Sequence, residues 1–430
     1  MKYFIFLVLS SILFVSCKNK NAKIVDKDYA DSLISHYKLP AIVTMNQKDM
    51  DFWESRIDPT DPRQVNESKY AATLVSRFHF FGDIQDIKRA DSIYDTVNRT
   101  YNNTLAGPFV ALTSTAMLQH HFRAADSLLE KAKKLGVDNF TLNTLSFDVN
   151  FELGRYNTAG IFLNRMKRNK DYSYFFRRSK YDHFNGTIDS AISAMMRAAT
   201  LSEKSAYLEG IALSNAADLN IHAGDLQKAG ELYKQCIKLN SADFHSILGL
   251  GWVALAADKN DTLAEKLFQF VLTKNKLPDP LFKLYQMAQQ RGDKALEKRY
   301  ASEFIERAAN PIYGRMYNKY IIEIYTGILI NPAKAEVLAK DELTNRATPH
   351  TWAWCAYSLY SNNKHNEAYK VFEQHVSGQP LEGLELYYMG KMMKGMGKGY
   401  NANEFFKAAQ KNKYDLSPAL ANDLEKNLEE

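Results

Sequence analysis

Trp352-Ala353-Trp354-Cys355-Ala356, followed by Ala368, Phe372 and Pro380, is answered one register later by Leu386-Tyr387-Tyr388-Met389-Gly390, followed by Ala402 and Phe406. In each copy the apolar residues recur at steps of three and four. Trp352, Cys355, Ala356 and Leu359 therefore share one helical face, as do Leu386, Met389, Gly390 and Met393. Small residues in these stripes let a second helix approach closely. The alanine and the bulky residue four positions after it fill the space from the other side. The unit that this pattern encodes is a helical hairpin.

The same pair recurs upstream as Ala90–Tyr94, Ala125–Leu129, Ala159–Leu163, Ala191–Met195, Ala229–Tyr233 and Ala264–Phe268. The interval from Ala264 to Ala368 holds about three periods, with weaker units around Ala295 and Ala335. Gly154, Gly186, Gly224 and Gly397 each stand five residues before a marker alanine, where one helix must end and the chain reverse. Only 11 Pro and 20 Gly in 430 residues suit a mostly helical chain. The pattern resembles the tetratricopeptide repeat, W-x2-L-G-x2-Y, then A-x3-F, then P, over about 34 residues. The resemblance runs from about Tyr70 to Tyr414. It implies an all-α, right-handed α-solenoid of about nine or ten tandem tetratricopeptide-type hairpins, some degenerate. Residues 28–69 are expected as an N-terminal helical segment and 70–416 as the array. Residues 417–430, with Leu420 and Leu424 following Leu416, are expected as a C-terminal capping helix.

The chain opens with Lys2, apolar runs at Tyr3–Leu9 and Ile12–Val15, and then Ser16-Cys17, which reads as a signal peptide over residues 1–17. Leu13-Phe14-Val15-Ser16-Cys17 resembles a bacterial lipobox. The resemblance implies a lipidated Cys17, a polar tether over 18–27 and a membrane contact through the lipid. Lys18 after the cysteine resembles lipoproteins sorted onward, so the expected location is the periplasmic face of an outer membrane. Asp31-Ser32-Leu33, Asp91-Ser92-Ile93, Asp126-Ser127-Leu128, Asp189-Ser190-Ala191 and Asp261-Thr262-Leu263 resemble the O-glycosylation acceptor of exported Bacteroidota proteins. The other reading of these pairs is that Asp-Ser starts helices well.

Catalytic motifs are missing: there is no GxSxG, HExxH or GxxxxGK[ST], and no GxGxxG between a strand and a helix. The chain is accordingly read as non-enzymatic, without cofactor or metal site. Adjacent helical residues point about 100° apart, so His120-His121 cannot easily share an ion and reads as a solvated turn. Cys236 and Cys355 fall on packing stripes and read as inert core thiols. The net charge of +6 is spread over 55 basic and 49 acidic residues, which argues against a nucleic-acid partner. The most basic stretch, Arg165–Lys180, reads as a solvated face. What remains is a binding role: an envelope scaffold that takes a protein or peptide in a concave groove. The alternative is a glycan-capturing lipoprotein that works with an outer-membrane importer. In tetratricopeptide arrays the first helix of each hairpin lines the concave side. That places His350, Tyr357, Tyr360, Tyr387, Lys391 and Lys394 in the expected groove.

Overall fold

The computed structural model describes residues 23–58, 60, 64–397 and 399–429; the signal sequence and Cys17 lie outside them. Every regular element among the described residues is helical. Two helices, α1 (Lys27–Ser35) and α2 (Ala41–Glu54), precede the array. Five hairpins form its first half: α3 (Gln64–Phe81) with α4 (Ile84–Thr100), α5 (Ala106–Leu118) with α6 (Phe122–Leu135), α7 (Asn139–Glu152) with α8 (Tyr156–Met166), α9 (Tyr172–Phe184) with α10 (Ile188–Leu201), and α11 (Ala206–His222) with α12 (Leu226–Leu239). Five more form its second half: α13 (Phe244–Ala256) with α14 (Asp261–Lys274), α15 (Asp279–Arg291) with α16 (Lys294–Ala308), α17 (Asn318–Thr326) with α18 (Pro332–Asn345), α19 (Pro349–Ser361) with α20 (His365–His375), and α21 (Gly383–Met396) with α22 (Ala402–Lys411). The last helix, α23 (Pro418–Glu429), caps the end. The two helices of every hairpin pack on one another and successive hairpins stack, so the all-α solenoid expected from the sequence is the fold.

The marker alanines set the hairpin interfaces. Ala90, Ala125, Ala159, Ala191, Ala229, Ala264, Ala335 and Ala368 are fully buried, and so are the bulky partners Tyr233 and Phe268 at 1% and 0% exposure. Across the interface the first helix supplies glycine. A Cβ on Gly251 would lie 2.4 Å from the Phe268 ring, and one on Gly390 would lie 2.5 Å from Phe406. Helix starts are set by short polar caps: Asp138, Asp171, Asp225, Asn260 and Asp293 each accept from a backbone N–H of the first turn. One expected unit has a different marker. Ala295 is exposed, and the alanine's place on α16 is taken by Glu297, 2% exposed and paired to Lys294 at 2.8 Å, with the small Ala301 one turn on. The size pattern of the hairpin is inverted there, and a scan for alanine followed by a bulky residue misplaces it.

The array coils back on itself, so that turns of early hairpins meet turns of late ones. Asn345, 1% exposed, accepts from the Phe122 N–H at 3.1 Å and donates to the His120 carbonyl at 2.8 Å. Lys276 N–H donates to the Phe81 carbonyl at 2.8 Å, and Ser417 Oγ donates to Gln289 at 2.9 Å. The start of the chain joins the same closure. Asp258 accepts from the N–H groups of Ile24 and Val25, both at 2.9 Å, and α1 packs on α14 rather than on α2. The expected segment 28–69 is thus two separate pieces, and the expected tether over 18–27 is fixed from Lys23 onward. His120 and His121 sit inside this joint instead of in solvent. Burial pushes the His120 imidazole down to about 4.

Gly390→Val tests the hairpin packing. Phe406 is 1% exposed and has nowhere to move, so overpacking should cost about 2–3 kcal/mol, read as a lower urea midpoint. An unchanged midpoint would show that the ring and the glycine do not share the space.

Candidate functional site

The closure encloses a cavity of about 780 Å³ between the ends of α7, α9 and α11 on one side and α17, α18, α19 and α21 on the other. Volumes of this size suit small ligands or a short chain segment. Its lining is ionic. Five carboxylates (Glu152, Glu342, Glu382, Glu385 and Asp415) face four permanent cations (Lys180, Arg315, Lys319 and Arg346) and three histidines (His183, His222 and His350). An aromatic wall adds apolar surface: Tyr156 and Phe184 stack with centroids 3.7 Å apart, and Phe151 meets both edge-on.

Most of these charges are held in pairs that cross between elements. Glu152 at the end of α7 takes Lys180 of α9 at 3.1 Å and Arg346 after α18 at 3.2 Å. Burial opposes its ionisation, but the two cations outweigh burial and keep its carboxyl below the usual range. Arg346 also meets Glu342 at 2.9 Å, whose other oxygen accepts from Asn318 at 2.9 Å. Lys319 of α17 lies 2.9 Å from Glu385 Oε1, and the same oxygen accepts from the Trp354 indole N–H at 2.8 Å. Burial opposes charge on Lys319 too, yet Glu385 and Glu382 raise its pKa. At the far side His222 of α11 is bonded to Asp415, 193 residues away, and its ring lies 4.9 Å from that of His183.

Of the groove expected from spacing, only His350 lines this cavity. Three of the others meet the chain's own end, and two pack within the last hairpins. Tyr387 is 4% exposed and donates to Asp423 of α23 at 2.7 Å, Lys391 pairs with the same carboxylate at 3.2 Å, and Lys394 donates to Asn427 at 2.9 Å. Tyr357 packs on Tyr388 at 4.5 Å, and Tyr360 stacks on His365 at 5.0 Å. The capping helix buries Leu424, which is 0% exposed, against the last hairpins and so covers part of the expected groove. Spacing alone also left Ala353 and Trp354 off the core stripe, and both are buried, at 1% and 4%.

Other expected positions fall as follows. Cys236 and Cys355 are core thiols, pushed up by burial to about 12 and 11. The basic stretch is partly consumed: Arg177 pairs with Asp148 at 2.5 Å, Arg178 with Asp182 at 2.7 Å, and Lys180 with Glu152. Ser32, Ser92, Ser127, Ser190 and Thr262 are exposed on helices, and none of them is a cap residue. Apart from His350, the cavity's charged residues carry no sequence signal strong enough to single them out as a site. Glu382-x-x-Glu385 at a helix start was the one local signal; nothing local links His222 to Asp415 or Glu152 to Arg346.

The His222–Asp415 joint makes the closure pH-dependent. Burial lowers the imidazole's basicity, but the hydrogen bond and charge of Asp415, helped by Glu382 and Asp218, carry its pKa up to about 8. A group raised on folding stabilises fully below its unfolded pKa of about 6.5, and that stabilisation is lost as pH rises through about 8. The thermal midpoint should therefore fall between about pH 6 and pH 9, and His222→Gln should flatten the fall. His245, raised to about 9 by the charge of Asp218, adds its own loss higher up, so the difference from the variant isolates His222. Parallel curves for the two proteins would contradict the assignment.

No protein family matches the chain, and no curated protein is similar to it in sequence. Solved structures share its backbone to a limited degree. A tetratricopeptide repeat protein from Parabacteroides merdae is 14% identical over 60% of this chain and 99% of its own, with a TM-score of 0.35. The Cut9–Hcn1 tetramer of the APC/C is 13% identical over 95% of this chain and 70% of that one, at 0.49. Yeast Tom70 is 13% identical over 84% and 90%, at 0.37. The chain is a helical-repeat protein, similar in backbone to tetratricopeptide repeat structures.

Proposed function

We propose that this protein is a non-catalytic scaffold that takes a segment of a protein partner into the cavity between its coils. One observation carries the reading: Glu152 is locked to Lys180 and Arg346, and Glu385 to Lys319, by pairs that join different helices across the cavity wall. Groups fixed in this way present a rigid pattern of both signs, suited to the mixed charge of a polypeptide. Glu152 and Lys180 each hold the other ionised, which suits recognition better than proton transfer. The aromatic wall of Tyr156 and Phe184 favours a second reading, an oligosaccharide stacked on the rings.

The scaffold is further proposed to hang from the outer membrane, on its periplasmic face, through a lipid on Cys17. The support is the lipobox-like sequence, together with the fixed position of Lys23, whose ammonium donates to the Asp258 carbonyl at 2.6 Å. At a reach of at most about 3.6 Å per residue, Lys23 stands within roughly 22 Å of the cysteine. The turn between α13 and α14 would then face the membrane.

A photoreactive residue at Asn185, on the cavity rim, should crosslink a protein in native membranes. The same group at Val337, 66% exposed on α18, should not. Equal capture at both positions would remove the cavity reading, and an oligosaccharide without protein would establish the second one. Cys17→Ala should move the protein out of the membrane fraction or leave it uncleaved. A variant that is processed normally and still sediments with membranes would contradict the anchor.

A further inference from the structure

We propose that His350, Glu382 and Glu385 form a binding site for a divalent transition-metal ion in the wall of the cavity. Glu382 stands at the N-terminal boundary of α21 without a side-chain capping bond, and Glu385 is the helix's third residue, so the two carboxylates lie on one face of the first turn. The neighbouring first helix, α19, brings His350, its second residue, against that face. One donor atom from each of the three residues lies within 4.8 Å of the others. Small side-chain rotations bring three such atoms to a shared ion at bond lengths of about 2.0–2.2 Å.

The second observation is independent of this spacing. His350 Nε2 and Glu385 Oε2 are shielded from solvent, and neither has a hydrogen-bond partner among the described residues, although Glu385 as a whole is 1% exposed. A buried acceptor without a donor costs about 1–3 kcal/mol, more when charged. The other oxygen of Glu385 is fully engaged by Trp354 and Lys319. That arrangement is the outer shell of a metal ligand: donors hold one carboxylate oxygen and turn the other toward the ion. One imidazole with two carboxylates suits zinc better than magnesium or calcium, which take all-oxygen sets. Three protein donors leave a fourth position open to the cavity. The Lys319 ammonium opposes a dication, so the site is weaker than a closed four-ligand one.

The full-length protein, stripped with chelator, should bind one equivalent of Zn²⁺ in competition with a chromogenic chelator. With Co²⁺ it should show the visible absorption of a nitrogen- and oxygen-ligated ion. Glu382→Gln and His350→Gln, which keep side-chain size, should each weaken binding at least about tenfold. Trp354→Phe, which removes the outer hydrogen bond and part of the ring but no metal ligand, should weaken it about 10–100-fold at unchanged stoichiometry. His375→Gln, whose ring stacks on Trp352 outside the cavity, should bind as the wild type does. Absence of zinc from the wild type, or equal affinity in the wild type and both ligand variants, would overturn the site, as would an equal loss in His375→Gln. The cobalt spectrum of the unmodified protein decides the question even where a variant fails to fold.

Discussion

The amide of Asn345 holds the turn between α5 and α6 through that turn's own backbone, satisfying the Phe122 N–H and the His120 carbonyl from 223 and 225 residues away. Buried backbone groups must find partners, and a turn cannot supply them from within. Asp258 does the same for Ile24 and Val25 at the start of the chain. These contacts convert an open solenoid, in which each hairpin touches only its neighbours, into a closed one. Closure turns the concave side into an interior. The first helices then become apolar on more than one face, and any charge they carry inward must find an opposite charge on the coil across from it.

The legible part of the fold is the part with short sequence separation. Alanine and its bulky partner lie four residues apart and recur every hairpin, so Ala229–Tyr233 and Ala264–Phe268 could be read directly as interface pairs. Even the failure at Ala295 has a local cause, since Glu297 and Ala301 invert the large and small positions. The closure was illegible for the opposite reason. Asn345, Asp258 and Ser417 are ordinary polar residues until the array has curled far enough to bring a distant turn beside them, and that curvature accumulates from small rotations at every hairpin. What covers part of the expected groove was illegible with it. Tyr387, Lys391 and Lys394 lie on a concave face, but the cap's own Asp423 and Asn427 reach that face first.

The cost of the cavity's charges bears on what they are for. A buried ion pair gives back in mutual attraction roughly what it loses in desolvation, and well-packed apolar residues in its place are often as stable or more so. Glu152 with Lys180 and Arg346, and Glu385 with Lys319, are therefore poor candidates for the source of the fold's stability, which the hairpin interfaces supply. What the pairs do supply is registry. Glu152 can meet both cations only when α7, α9 and the turn after α18 stand at one mutual position, and removing a single partner would leave a half-buried charge with less compensation. The cavity thus has a fixed shape and a fixed pattern of sign. The surplus donors left after pairing, Glu385 Oε2 and His350 Nε2, are the points where that pattern is incomplete without a bound group. The closure that hides these atoms from water also keeps them within reach of one another.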